Sequence, residues 1–105
     1  MVQMLLESDG FRVIACPDSE KAREAATGRV DAFVIDCNLS QGEDGIDLLR
    51  AIRCGETGAP SAIPVVMTSG DDLRSTEAAE NDASLFLLKP YSASYLAEEL
   101  GQLLN

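Results

Sequence analysis

The sequence predicts an α/β protein with an open, doubly wound parallel sheet. Short β-rich runs alternate with amphipathic helical stretches along the whole chain, which implies helices on both faces of one sheet. One of those runs, Ala32-Phe33-Val34-Ile35, is continuously apolar, as a strand buried on both faces must be. Three chemically active residues, Asp36, Ser69 and Lys89, each stand at the carboxyl end of a different predicted strand, the edge where open sheets of this kind place their sites.

Each element has a local cause. Met1 to Ser8 is read as the end of a helix, stopped by Asp9-Gly10. Phe11 to Cys16 is a strand. Pro17-Asp18-Ser19-Glu20 supplies helix-start chemistry with Asp18 or Ser19 as N-cap, and the helix runs to about Thr27, where Gly28 ends it. After Ala32–Ile35 and Asp36, a polar loop from Cys37 to Asp44 leads into a helix over Gly45–Arg53. Gly55 to Ser61 is rich in turn formers and is expected to be the loosest loop. Pro64–Met67 is a third strand, and Thr68-Ser69-Gly70-Asp71-Asp72 leaves it for a helix near Leu73 to Glu80, with the two Asp residues as a solvated start. Leu85–Leu88 is a fourth strand, ending in Lys89-Pro90. Ser92 or Ser94 caps a last helix whose inner side carries Leu96, Leu100, Leu103 and Leu104.

Composition narrows the function. At 105 residues the chain is one domain, with a core that must be aliphatic because Trp is absent. Eighteen acids against eight bases give a formal charge of −10, which argues against nucleic acid as a direct partner. No apolar run approaches the roughly 18–20 residues that cross a bilayer. The N-terminus carries no basic segment of the kind that begins a signal peptide, so a cytoplasmic location is expected. Cys16, Cys37 and Cys54 form no CxxC and are read as buried thiols in a reducing compartment. His is absent, which excludes a Ser/His or Cys/His hydrolase.

Four stretches taken in order carry a specific resemblance. They are Val34-Ile35-Asp36-Cys37-Asn38-Leu39, then Asp44-Gly45, then Pro64-Val65-Val66-Met67-Thr68-Ser69-Gly70, then Phe86-Leu87-Leu88-Lys89-Pro90. The chain resembles, from Met1 to Asn105, the receiver domains of bacterial two-component response regulators, whose fold is flavodoxin-like. The resemblance implies that Asp36 is a phosphoacceptor charged by a histidine kinase or phosphotransfer protein. By the same resemblance Lys89 supplies a fixed positive charge and Ser69, with Thr68 as the alternative, donates a hydrogen bond to the phosphoryl group. It further implies that Asp36 and the backbone carbonyl of Asn38 bind Mg2+, and that Phe86 is an aromatic switch beside a surface on the last two helices where a partner or a second receiver docks.

The family's first strand carries an acidic pair that holds magnesium. About ten residues before Phe11 are too few for a strand and a crossover helix, so residues 1–105 are expected to be a single receiver domain lacking its first strand and the start of its first helix. In the family's order that strand lies between those at Phe11 and Ala32, so its loss is expected to leave a gap in the sheet interior, filled in a natural protein by roughly 15–20 further N-terminal residues. The competing functions are a degenerate receiver that serves as an interaction module without phosphate, and a small hydrolase with Asp36 as nucleophile. No general acid/base accompanies Asp36, so multiple-turnover catalysis is not expected.

Overall fold

The computed structural model describes residues 4–8, 11–16, 18–25, 30–39 and 42–104. The elements in chain order are β1 (Met4–Ser8), β2 (Phe11–Cys16), α1 (Ser19–Ala25), β3 (Ala32–Asp36), α2 (Gly45–Arg53), β4 (Val65–Ser69), α3 (Arg74–Glu80), β5 (Leu85–Leu88) and α4 (Ala93–Leu104). They build one five-stranded sheet in the order β1-β2-β3-β4-β5. Strands β2 to β5 run parallel and β1 pairs antiparallel with β2.

Two expectations about the N-terminal region are corrected. Met4–Ser8 is a strand rather than a helix end. It pairs with β2 from Met4↔Ala15 to Ser8↔Phe11, and this ladder satisfies the backbone groups that a helix would have paired internally. The expected helix stop at Asp9-Gly10 lies outside the described residues. The expected interior gap is not present either. Strands β2 and β3 pair directly, from Val13↔Ala32 to Cys16↔Ile35, so their facing backbone groups satisfy one another.

The period-2 alternation of the strands divides the core in two. On one face Phe33, Ile35, Val65 and Met67 pack with Ala22 of α1, Ile46, Leu49 and Ile52 of α2, and Ala78 of α3. On the other, Val13, Ala32, Val34, Val66 and Leu87 pack with Leu96 and Leu100 of α4, and Leu103 and Leu104 close its edge. Full burial of each large aliphatic side chain stabilises the fold by about 1.5–3 kcal/mol. Tyr95 N–H donates to Ser92 Oγ at 3.0 Å, so Ser92 is the cap of α4. The expected end of α1 near Thr27 and Gly28 lies outside the described residues.

The far end of the loop expected to be loosest is tied to α2. Arg53 donates to the carbonyls of Ser61 (2.9 Å), Ile63 (2.6 Å) and Asp82 (2.9 Å), tying α2 to both the following loop and the α3–β5 turn. In that turn Asp82 adopts φ +65°, in the left-handed region that Asp tolerates better than most side chains. Cys37 is buried as expected, whereas Cys54 is exposed. Cys54 is the C-cap of α2, two residues beyond Ile52, the last buried residue of its apolar stripe.

Candidate functional site

The carboxyl edge of β3, β4 and β5 carries the residues expected there. Strand β4 runs two residues further than its apolar core predicts, to Ser69, because the parallel ladder continues past it on both sides. Cys37 N–H donates to Thr68 O and Lys89 N–H to Ser69 O, each at 2.8 Å. Both hydroxyl residues are therefore strand residues, and both are buried. Asp36 and Thr68 are register partners, and Ser69 stands opposite Leu88. The Lys89–Pro90 peptide bond is cis.

Asp36 is partly exposed and fully engaged. Its Oδ2 accepts from Lys89 Nζ across the end of β4, making an ion pair. Its Oδ1 accepts from the backbone N–H of Asn38 at 2.9 Å. Ser69 Oγ accepts from Asp71 N–H at 3.0 Å, which leaves its own O–H as a donor. Phe86 is half-buried and packs against the cluster beneath α2 and α3. The structure thus brings Asp36 and Lys89 into contact. It places Ser69 and Thr68 at the end of the intervening strand, and the backbone N–H of Asn38 at Asp36.

The loop after Asp36 folds back on itself. Leu39 N–H donates to Glu43 O at 2.9 Å, Asn38 and Asp44 form an isolated antiparallel bridge, and Gly45 N–H donates to Cys37 O at 2.8 Å. The return brings α2 against β3 so closely that a Cβ on Gly45 would lie 2.0 Å from Asp36 O and 2.9 Å from its carbonyl carbon. Asp44 caps α2 by accepting from Ile46 N–H at 2.9 Å, and both its oxygens accept from Arg74 Nη2 at 2.8 and 3.0 Å. The hydrogen bond to Asp44 holds the Arg74 guanidinium above its already high pKa. Burial pushes the Cys37 thiol up, Arg74 opposes this, and the charges of Asp36, Asp44 and Glu77 add to it.

Sequence reasoning noted Asp44-Gly45 only as part of a pattern, and missed both the steric role of Gly45 and the role of Arg74. A glycine at the first position of a helix, directly after a capping Asp, is the signal that could have found the first. Nothing local could have found the second, because Arg74 reaches a residue thirty positions away.

Magnesium takes six oxygens in a near-ideal octahedron. Among the described residues no group of three or more His, Cys, Asp or Glu side chains is placed to hold a metal ion. Asp36 already meets an ammonium and a backbone N–H. These residues fall short of the ion's donor set by themselves. Among the described residues no helix is long and apolar enough to cross a membrane.

Comparison with known proteins supplies the family. The pattern of the response regulator receiver domain matches residues 1–101. The regulatory protein VirG of Agrobacterium tumefaciens is 38% identical over 86 residues, covering 78% of this chain and 30% of that protein. The sensory/regulatory protein RpfC of Xanthomonas campestris is 32% identical over 108 residues, covering 98% of this chain and 14% of that protein. The chain therefore spans less than a third of the length of either relative. Among solved structures, the receiver domain of a sensor histidine kinase from Pseudomonas aeruginosa PAO1, with a magnesium ion in its active-site cleft, superposes with a TM-score of 0.67. It is 26% identical, and the match covers 83% of this chain and 71% of that one. Fold, strand-end constellation and sequence agree: the chain belongs to the response regulator receiver domain family.

Proposed function

We propose that this chain is a phospho-accepting switch of two-component signalling, working in the cytoplasm, and that Asp36 is its acceptor. The observation that carries the reading is the Asp36–Lys89 ion pair at the carboxyl edge of the parallel sheet, with the buried hydroxyl of Ser69 ending the strand between them. The donor is a phosphorylated histidine on a kinase or phosphotransfer protein.

A carboxylate oxygen of Asp36 attacks phosphorus. The bond from phosphorus to the donor's imidazole nitrogen breaks, its electron pair returns to the ring, and an acyl phosphate forms on Asp36. Lys89 is the fixed counter-charge that lets an anion accept an anionic group. Ser69 donates its free O–H to a phosphoryl oxygen, and Thr68 is the alternative donor. The Asn38 amide and the folded-back loop hold the carboxylate in place. With a phosphoryl group present, Ser69 moves inward and Phe86 changes rotamer. The surface of α3, β5 and α4 then alters where Leu73, Leu88 and Tyr95 are exposed, and a partner or second receiver binds there. The magnesium implied by the family would use Asp36 and the Asn38 carbonyl. Because these two donors are too few by themselves, the cation is a variable of the test and not a step of the mechanism.

Intact mass with acetyl phosphate, with and without magnesium, tests the reading on the wild type and on Asp36→Asn. One added phosphoryl group that Asp36→Asn does not acquire supports it. A second reading is favoured by the lack of a three-acid cluster among the described residues: a receiver that binds partners without taking phosphate. No mass gain in either condition would select that reading.

A further inference from the structure

Asp36 and Ser69 are joined by a second route that runs around the back of the site. Asp36 Oδ1 accepts from Asn38 N–H, and Asn38 bridges to Asp44. Asp44 accepts from Arg74 Nη2 through both oxygens. The backbone N–H of Arg74 donates to Asp71 O at 3.2 Å, and Asp71 N–H donates to Ser69 Oγ at 3.0 Å. Arg74 is the long-range link of this ring. Its Nε also donates to Glu77 Oε1 at 2.9 Å, so the planar guanidinium is held on two edges and cannot swing without breaking a contact. The side chain is only 22% exposed.

The segment it holds is tied within itself only by short-range bonds, among them Leu73 N–H donating to Asp71 Oδ1 at 2.9 Å and Ser75 N–H to Asp72 O at 3.1 Å. Gly70, Asp71, Asp72 and Leu73 are all exposed, Leu73 to 81%. A Cβ at Gly70 would meet nothing within 4 Å. One end of the segment is fixed by the β4 ladder through Ser69, and the other by Arg74 on Asp44. We propose that Arg74 is a positioning residue of the switch: by mooring the far end of Gly70–Leu73 to the acceptor loop, it sets where the Ser69 hydroxyl stands relative to Asp36. This rests on Asp36 being the acceptor.

The test is a cycle of Arg74→Gln, Asp44→Asn and the double variant, with Arg74→Lys as the conservative control. Asp44→Asn keeps an oxygen to cap α2 while removing the charge. The rates of acyl phosphate formation and decay are measured on each. Each single variant is expected to change one of these rates by about 2- to 30-fold, the range for residues that couple two sites. The double variant should be no worse than either single, Arg74→Lys should restore part of the effect, and the urea midpoint should move little. Unchanged rates in Arg74→Gln, or single effects that add, would overturn the proposal. If the wild type takes no phosphoryl group, the acceptor reading fails separately. Amide exchange at Asp71 to Leu73 in the unphosphorylated protein then decides: faster exchange in Arg74→Gln upholds the mooring, and equal exchange refutes it.

Discussion

Replacing Gly45 by Ala should invert the usual effect of that substitution in a helix. Ala is ordinarily favoured over Gly in a helix interior by about 0.8–1.0 kcal/mol. Here the new Cβ would lie 2.0 Å from Asp36 O and 3.0 Å from Cys37 Cα, all backbone that no side-chain rotation can move aside. Relief requires α2 to back away from β3 by more than an ångström. Overpacking of this kind costs about 1–3 kcal/mol, and the Gly45 N–H to Cys37 O bond, about 1 kcal/mol, is stretched with it. Set against the propensity term, the net loss is about 1–3 kcal/mol. For a domain of this size each kcal/mol lowers Tm by about 4–8 °C. Urea unfolding followed by circular dichroism, on wild type and Gly45→Ala side by side, reads the difference. Because the displaced atoms belong to Asp36 itself, phosphoryl uptake should fall in the folded variant as well. A Gly45→Ala protein as stable as the wild type, or more so, would refute the steric reasoning.

Three further outcomes are expected. Lys89→Ala should leave the urea midpoint within about 1 kcal/mol of wild type, because both partners of the ion pair are partly solvated, yet abolish phosphoryl uptake by intact mass. Arg53→Ala should destabilise by about 1–3 kcal/mol in the same urea assay, because the part-buried Ile63 carbonyl loses its donor, and Arg53→Lys should recover only part of this. Peptide mapping after brief exposure to a thiol reagent should find Cys54 modified and Cys37 protected until unfolding. Burial raises the Cys37 pKa in the folded state, so the unfolded chain releases that proton first; its contribution is complete below the ordinary thiol value of 9.0 and is lost as pH rises above it. Urea midpoints measured from about pH 8 to pH 10 should therefore fall more steeply for wild type than for Cys37→Ala.

The parallel core was legible because its signals are local. Four continuous apolar residues ending in Asp36 specify a buried strand and its exit, and the leucines of α4 mark its inner face by spacing alone. Ser92 as a cap followed from residue type. The N-terminal hairpin was not legible. Met4 to Ser8 offers apolar residues that suit a helix or a strand, and pairing with Phe11–Cys16 decides between them. The extra length of β4 escaped for a similar reason, since Thr68 and Ser69 are polar. They are strand residues because Cys37 and Lys89 on the two neighbouring strands donate to their carbonyls.

The sequence by itself determined that this protein has a doubly wound α/β core and which three strand ends carry Asp36, Ser69 and Lys89. It could do so because apolar periodicity and strand termini depend on near neighbours in the chain. Tertiary structure alone decided that β2 sits directly against β3, that α2 presses on the carbonyl of Asp36 at Gly45, and that Arg74 ties the loop after Asp36 to α3. Those are contacts between residues distant in sequence. Their strength depends on separations of a few ångströms that no local pattern encodes.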